Sequence, residues 1–245
     1  MTERTLLKIS GADRVSFLQG LVTNDVSRLG DGPVYAALLT PQGKYIADFF
    51  LFAMEDAIGL DADASQAPSL AQRLSMYKLR ANVTVEEAGL FLHRGLGAAP
   101  GDGWTDPRHP GLGWRAWREE AGSADDVDWD GLYVEHLVPQ SGVELHGDTF
   151  ILEAGFERLN GVDFRKGCYV GQEVTARMKH KTELRKGLAR VEIEGRAEPG
   201  AEIVAHGKVA GTLHTRVGDR AIAYLRFDRV QGEMRAGDAV VRRIA

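Results

Sequence analysis

The apolar positions near the N-terminus follow helical spacing. Apolar residues stand at positions 15, 18, 21 and 22, which lie on one face of a helix. Residues 10–13 (Ser-Gly-Ala-Asp) match a capping box in which the hydroxyl of Ser10 caps the helix. Residues 23–25 (Thr-Asn-Asp) favour local hydrogen bonds to the backbone. The pattern therefore predicts a helix that Ser10 caps and residues 23–25 end.

A hairpin is predicted after this helix. Residues 34–39 are apolar, residues 40–43 (Thr-Pro-Gln-Gly) suit a turn, and residues 44–53 return as a second apolar run. This second run is apolar on both faces except at Asp48, which predicts a strand covered on both sides. Further predicted elements are a helix that ends near residue 80, strands at 83–85 and 91–92, loops at 97–111 and 123–130, and a helix carrying residues 132–137.

Towards the C-terminus the pattern changes to short apolar runs separated by glycine-containing turns. Such spacing predicts a small antiparallel β-barrel, and we place a domain boundary within the charged residues 179–186. The predicted domains are 1–182 and 183–245. The apolar runs are 188–193, 203–205, 209–213, 221–227 and 239–244.

Composition narrows the class of protein. The chain has 245 residues, 44% of them hydrophobic, and a net charge of −5, so a general preference for nucleic acid or anionic membranes is not indicated. No apolar run approaches the roughly 20 residues that span a bilayer, and the N-terminus lacks the apolar stretch of a secretion signal. One cysteine forms no internal disulfide, which predicts a reducing compartment, the cytoplasm.

Cys168 is that single cysteine. Arg165 and Lys166 precede it, and a helix is predicted to begin near Gly171; cationic neighbours and a helix N-terminus both favour the thiolate form. The alternative, a small buried apolar side chain, stays open. One cysteine cannot hold zinc or an iron–sulfur cluster unaided, because such sites need about four ligands. We therefore predict no resident metal.

The neighbours of Cys168 have two interpretations each. Gly167 and Gly171 permit unusual backbone angles or close approach of a ligand, or they simply form turns. Gln172 and Glu173 suit hydrogen bonds to backbone or cofactor amides, and the helix N-terminus favours Glu173 for purely structural reasons.

Asp48 is the second candidate. A carboxylate inside an apolar strand must be paired, hydrogen-bonded or protonated, and such residues often mark functional sites. A buried structural hydrogen-bonding role is the alternative.

The segment around Cys168 resembles a known family. Residues 166–173, KGCYVGQE, are similar to the signature of the folate-binding YgfZ family, which is related to the glycine-cleavage T-protein. The chain departs from many members by lacking a glycine shortly after Arg177. Residues 159–164, 174–178, 17–26, 41–49 and 77–80 extend the resemblance over most of the chain.

This resemblance implies an α+β fold with intertwined lobes around a central opening, followed by a β-barrel. It implies a tetrahydrofolate or related reduced folate as cofactor, with Asp48 contacting the folate, Asn24 and Asp25 lining the opening, and Glu153 binding the pterin ring. The alternative for Asn24 and Asp25 is that they only cap a helix. The alternative for Glu153 is that it is a surface glutamate. The candidate catalytic residues are Cys168 and Asp48, and the candidate cofactor-binding residues are Asn24, Asp25, Asp48, Glu153, Lys166, Gly167, Tyr169, Gly171, Gln172, Glu173 and Arg177.

The sequence and the resemblance suggest three hypotheses for the function. The first is a folate-binding factor that assists iron–sulfur cluster assembly or repair in client or scaffold proteins. The second is an aminomethyltransferase like the T-protein, although the chain is much shorter. The third is RNA binding or tRNA modification through the basic residues of 165–190, where Tyr169 is the only aromatic residue and no RNA-binding module is recognisable.

Overall fold

The computed structural model describes residues 3–122, 126–180 and 183–244; the start of the loop predicted at 123–130 lies outside them. The helices are α1 (Arg14–Gln19), α2 (Ala67–Tyr77), α3 (Trp129–Glu135) and α4 (Gln172–Lys179), with 3-10 helices at Val26–Gly30 and Pro110–Leu112. Within the described residues, no helix has the length and apolar character needed to cross a membrane. The strands are β1 (Arg4–Ser10), β2 (Val34–Leu39), β3 (Tyr45–Ala53), β4 (Ala57–Asp63), β5 (Thr84–Glu87), β6 (Phe91–Gly95), β7 (Trp104–Thr105), β8 (Trp114–Arg118), β9 (Lys186–Glu194), β10 (Glu202–Ala205), β11 (Lys208–Val217), β12 (Arg220–Arg226), β13 (Met234–Ala236) and β14 (Ala239–Arg243).

The chain folds into two compact units. Unit 1 comprises Met1–Val127 and Glu157–Val174, and unit 2 comprises Asp128–Phe156 and Thr175–Ala245. Unit 2 therefore contains α3 in addition to the strands near the C-terminus. The predicted domain limit after residue 182 falls at a position outside the described residues, and it stays a prediction.

Unit 1 contains two antiparallel sheets. One has the strand order β2-β3-β4-β1-β5 and the other β6-β8-β7. The predicted hairpin is confirmed, because β2 pairs with β3 and the amide of Gly43 closes the turn by donating to the carbonyl of Thr40. Strand β3 is buried on both faces over most of its length, as predicted. Strands β1, β4, β7 and β8 were not predicted, and β7 lies within the predicted loop 97–111. Strand β4 carries two carboxylates, Asp61 and Asp63, in an otherwise apolar segment.

The core of unit 1 lies on one face of the larger sheet. Leu70 and Leu74 of α2 and Leu18 of α1 are completely buried in one apolar cluster with Phe49 and Leu60 of the sheet. Each fully buried side chain of this size stabilises the fold by roughly 1.5–3 kcal/mol.

The predicted capping box is wrong. Ser10 is the last residue of β1, where it lies opposite Ala57 and Thr84, and so cannot cap the helix. Helix α1 begins at Arg14 with Asp13 as the capping residue, and no side chain caps its amides. The carboxylate of Asp13 instead accepts a hydrogen bond from the amide of Asn82, at 2.8 Å. Sheet pairing thus overrides the local capping pattern.

Unit 2 contains the predicted barrel. Its strands close in the order β10-β11-β12-β9-β14-β13, and all pairings are antiparallel. Val191, Leu213, Leu225 and Val241 fill the interior. The short strand β13 was not predicted, because its sequence Met-Arg-Ala has only three residues and no apolar run.

Candidate functional site

Cys168 lies in the segment of residues 164–171, here called the Cys168 loop, which precedes α4. The Cys168 side chain is exposed and forms no disulfide. The alternative of a small buried apolar side chain is therefore wrong. An exposed thiol on a loop is accessible to a partner molecule, which is the first requirement for chemistry at this position.

The chain segment leading to this loop is attached to the larger sheet of unit 1. The hydroxyl of Thr23 donates to the carbonyl of Gly161 at 2.7 Å and accepts from the amide of Ala37, on β2, at 2.8 Å. The amide of Asp163 donates to the carbonyl of Thr23 at 3.0 Å. Two sequence motifs, around residues 23 and 161, are thus joined by buried hydrogen bonds.

Asn24 adds to this attachment. Its side-chain amide donates to the carbonyl of Tyr35 at 2.8 Å and to that of Asn160 at 2.6 Å, and its side-chain oxygen accepts from the amide of Asp25. Asn24 is buried, and Asn160 has a positive φ of 54°. Asn24 therefore holds the strand β2, its own turn and the segment before the Cys168 loop together.

Lys166 fastens the Cys168 loop from inside. Its ammonium group donates to the carbonyls of Gln19, Val22 and Asn24 at 2.8, 2.6 and 2.9 Å. It also lies 5.2 Å from the centre of the Tyr169 ring. Burial lowers the pKa of Lys166 to about 8, although nearby carboxylates oppose this effect. The structure thus shows Lys166 bridging two segments of the chain, with Cys168 two residues away.

Asp25 caps the 3-10 helix Val26–Gly30. Its carboxylate accepts from the amide and the hydroxyl of Ser27, at 3.0 and 2.8 Å, and from the side chain of Gln19 at 2.9 Å. The hydrogen bond from the Ser27 hydroxyl is the main reason why the pKa of Asp25 lies below its usual value. The cap, one of the two interpretations of Asp25, is what the structure shows.

Gly171 packs against the turn of the β2–β3 hairpin. It has a φ of +84°, and a Cβ atom there would lie 2.6 Å from the carbonyl oxygen of Thr40. Gly43, at the hairpin turn, has a φ of +74°, and its Cβ would lie 2.8 Å from the side chain of Val174. Only glycine fits positions that combine a positive φ with such close approach. Gly167, in contrast, has neither restriction.

The remaining candidates of this motif lie on α4. Gln172 begins the helix and its amide donates to the carbonyl of Tyr169 at 3.2 Å. Glu173 is exposed in the first turn, where a negative charge suits the helix dipole. Arg177 is exposed in the last turn and belongs to unit 2.

Asp48 is buried between two tyrosines. The hydroxyl of Tyr45 donates to one carboxylate oxygen at 2.6 Å, and the hydroxyl of Tyr35 donates to the other at 3.0 Å. Burial, together with the charge of Asp48, raises the pKa of Tyr35 well above its usual value. The prediction that Asp48 is paired or hydrogen-bonded is confirmed.

A buried chain of charges in unit 1 was missed from the sequence. Arg4 binds one carboxylate oxygen of Asp61 at 2.6 Å, and Arg115 binds the other at 2.9 Å. Arg115 also binds Asp106 at 2.8 Å, and Asp106 pairs with Arg108 at 2.9 Å. These residues, here called the Arg–Asp chain, stand up to 57 positions apart when in contact, so no local motif indicates their pairing.

The Arg–Asp chain adjoins the surroundings of Asp48. Arg115 lies 3.6 Å from the centre of the Phe50 ring, and Arg108 lies 5.6 Å from the centre of the Tyr35 ring. Burial raises the pKa of Asp106, but the charges of Arg108 and Arg115 outweigh this effect and hold the pKa well below its usual range. The carboxylates of Asp61 and Asp106 are therefore ionised at neutral pH.

A polar cleft of about 240 Å³ opens beside Asn24 in unit 1. Its lining includes Tyr35 and Asn160, and Arg28 contributes an exposed guanidinium group. The cleft is the place where the structure brings a predicted cofactor residue, Asn24, to a concave surface. Pro107, next to the Arg–Asp chain, forms part of its wall.

Glu153 belongs to unit 2. Its carboxylate accepts a hydrogen bond from the hydroxyl of Tyr224, on β12, at 2.6 Å, and its carbonyl accepts from the amide of Leu188, on β9, at 2.8 Å. Burial and this hydrogen bond raise the pKa of Tyr224. Glu153 is thus attached to the barrel and is not an isolated surface glutamate.

Comparison with known proteins supports both parts of this fold. Residues 185–244 match the family model described as the C-terminal β-barrel domain of CAF17. A crystal structure of the glycine cleavage system aminomethyltransferase T from Bartonella henselae superimposes with a TM-score of 0.77, covering 98% of this chain and 82% of that one at 15% identity. The predicted T-protein-like fold with a C-terminal barrel is confirmed.

Relatives of known role are similar over nearly the whole chain. The mitochondrial iron–sulfur cluster assembly factor IBA57 of Mus musculus is 30% identical over 94% of this chain and 78% of its own length. The human protein of the same name is also 30% identical, with the same two coverages. The chain therefore belongs to the family of IBA57-type iron–sulfur cluster assembly factors.

Proposed function

We propose that the protein assists assembly or repair of iron–sulfur clusters in client or scaffold proteins through the thiol of Cys168. The observation that carries this proposal is an exposed thiol, the only one in the sequence, on a loop fastened by Lys166. The family of the chain and the KGCYVGQE segment, which resembles the YgfZ signature, support the same role. The assignment to the YgfZ branch is part of this proposal.

Iron–sulfur clusters are held by roughly four protein thiolates per cluster, of which Cys168 supplies one. The partner protein must therefore provide the others, and Cys168 acts in a shared or transient site. The thiol would release its proton to solvent, and the thiolate would donate an electron pair to a cluster iron while a thiolate of the scaffold leaves that iron and takes up a proton. In the other form of this proposal, the Cys168 thiolate attacks the outer sulfur of a partner persulfide, the S–S bond of the partner breaks, and the partner's thiolate leaves. The cluster is the cargo of the reaction, not a resident cofactor.

Replacing Cys168 with Ala or Ser should reduce the activity of a [4Fe–4S]-dependent enzyme by about tenfold or more, in a host whose own IBA57-type factor has been deleted. The reason is loss of the only thiol, whereas the exposed position means that no packing is lost. Enzyme activity is measured in extracts alongside the melting temperature of each purified variant.

Alkylation provides a control that reports on Cys168 alone. Because the sequence has one cysteine, iodoacetamide labels one site, and mass spectrometry reads its extent. Incubation with a cluster-loaded scaffold protein should protect the thiol, and the cluster-free scaffold should not. Full enzyme activity with Cys168→Ala, at unchanged expression, would show that the thiol has no part in the function.

Folate binding is the second part of the proposal, and the residues present fit a folate in part. The cleft of about 240 Å³ lies below the roughly 300–1,000 Å³ of most small-molecule sites, so it suits one end of the molecule. Both oxygens of Asp48 are already bonded to tyrosines. Arg28, which is exposed at the cleft, would hold a carboxylate of the glutamate tail. A bound reduced folate would supply one-carbon or electron-transfer chemistry.

Calorimetric titration with tetrahydrofolate should show saturable binding that Arg28→Ala weakens by about tenfold, because a charge-assisted hydrogen bond is lost. Arg196→Ala, at an exposed position of unit 2, is the matched control and should bind normally. Absence of binding, or equal binding by both variants, would remove folate from this cleft.

The other predicted properties gain no specific observation. Aminomethyl transfer and RNA binding remain alternatives from the sequence, and part of the basic stretch, residues 181–182, lies outside the described residues. The cytoplasmic location also stays a prediction.

A further inference from the structure

A second cleft, of about 330 Å³, lies in unit 1 and is here called the aromatic cleft. It shares Gly32 and Pro33 with the polar cleft, but it contains no residue of the Cys168 loop. Its lining joins side chains from both sheets of unit 1. They include Phe52, Met54, Glu55, Leu90, Trp104 and Trp117.

Two of the aromatic walls are held in place by their surroundings. The rings of Phe52 and Trp117 are stacked, with centres 4.0 Å apart and planes 3° from parallel. The indole N–H of Trp117 donates to Asp61 at 3.1 Å, which ties the wall to the Arg–Asp chain. A Cβ at Gly59 would overlap the Phe52 ring, so a glycine is needed beneath it. These walls are therefore rigid before any ligand arrives.

Trp104 forms the accessible wall. Its side chain rests on Gly32, which has a φ of +139° and where a Cβ would lie 3.1 Å from the indole ring. The residue nevertheless remains 46% exposed. A large aromatic ring that is supported on one side and open to solvent is well placed to stack against a planar group.

The rim of the aromatic cleft carries negative charge. Asp102 is neutralised by Arg118, which donates to its two oxygens at 2.7 and 2.8 Å. Glu55 and its neighbour Asp56 are exposed, and within residues 3–122, 126–180 and 183–244 neither side chain has a hydrogen bond or ion pair. The unneutralised charge at this rim is therefore acidic.

We infer that the aromatic cleft binds an arginine side chain presented by a basic segment of a partner protein. Aromatic faces and carboxylates both attract cations, whereas an anionic ligand would be repelled by Glu55. A purely apolar segment would desolvate that carboxylate without compensation.

Arginine fits better than lysine for a geometric reason. A planar guanidinium stacks on an indole ring and can bond a carboxylate through two N–H groups, while an ammonium group is compact and strongly hydrated. A guanidinium also lies over an aromatic ring inside the protein, where that of Arg115 is 3.6 Å from the centre of the Phe50 ring. The apolar lining would take the methylene groups of the arginine. This inference does not depend on iron–sulfur or folate chemistry.

The test uses fluorescence anisotropy of a short fluorescein-labelled peptide containing arginine in a glycine–serine background. The comparison peptides carry citrulline, which has the same shape without the charge, or lysine. The arginine peptide should bind about tenfold or more tightly than the citrulline peptide and more tightly than the lysine peptide. Added salt should weaken the binding.

Variants locate the binding. Glu55→Gln and Trp104→Leu should each lower the affinity for the arginine peptide several-fold. The matched controls Glu202→Gln and Phe91→Leu, both at exposed positions, should leave this affinity unchanged. Glu55 makes no contact on which folding depends, so its variant keeps the test valid if Trp104→Leu is unstable. Equal binding of arginine and citrulline peptides, no binding, or unchanged binding by Glu55→Gln would overturn the inference.

Discussion

Asp61→Asn should lower the free energy of unfolding by about 3–5 kcal/mol, the typical effect of removing one partner from a buried ion pair. Asp61 is fully buried and neutralises Arg4 and Arg115 at once. The substitution keeps the size of the side chain but leaves two guanidinium groups with one negative charge fewer. Urea denaturation, followed by circular dichroism, measures the change.

Asp102→Asn is the matched control. Asp102 pairs with Arg118 at the surface, where water screens the ion pair. Little change in the free energy of unfolding is therefore expected. If the two variants are equally stable, the Arg–Asp chain contributes nothing that depends on its burial.

The pH dependence of the free energy of unfolding tests the role of Asp61 independently. Burial raises the pKa of Asp61, but the charges of Arg4 and Arg115 outweigh it, so the folded pKa lies below the reference value of 3.8. A carboxylate with a depressed pKa stabilises the fold above the unfolded pKa and loses this contribution as the pH falls through the folded pKa. The difference between the natural protein and Asp61→Asn should therefore shrink below about pH 4. A difference that stays constant would argue against an ionised Asp61.

Gly171→Ala should destabilise unit 1 by about 2–4 kcal/mol and impair cluster-dependent activity as well. A left-handed backbone conformation costs an alanine about 1–2 kcal/mol, and its Cβ would lie 2.6 Å from the carbonyl oxygen of Thr40. Relief of this clash must separate the Cys168 loop from the hairpin turn. Thermal unfolding and the enzyme activity described for Cys168 measure the two effects.

Gly167→Ala is the matched control, because it makes the same substitution in the same loop at a position without a positive φ or a close contact. Gly167 has no atom within 4 Å of the added carbon and no positive φ, so the melting temperature should change little. The argument for close approach at Gly171 fails if both alanine variants melt at the same temperature.

Local patterns were sufficient for elements that depend on nearby residues. The hairpin of β2 and β3 was predicted because its turn and its two apolar runs are contiguous, and the barrel because its runs recur with glycine turns. The start of α4 near Gly171 was also predicted. In contrast, β1 and β4 escaped prediction because they pair with each other across about 50 residues, and β4 contains Asp61, which becomes tolerable only beside Arg4 and Arg115.

The candidate site divides in the same way. The sequence by itself identified Cys168, the glycine at 171 and the family resemblance, because a rare residue type and an ordered motif are visible in one segment. It also required a partner for Asp48, since an unpaired carboxylate in an apolar strand is costly.

Only the tertiary structure decided which groups meet. Lys166 could have faced a ligand, but its ammonium bonds three carbonyls near residue 22; Asp48 lies between two tyrosines; and the aromatic cleft joins side chains from two sheets. The physical reason is that a buried polar group is satisfied by whichever partner the fold brings near, and distance along the chain does not specify that partner. The sequence thus determined the candidate thiol and the class of protein, and tertiary packing determined which groups support the loop that carries this thiol.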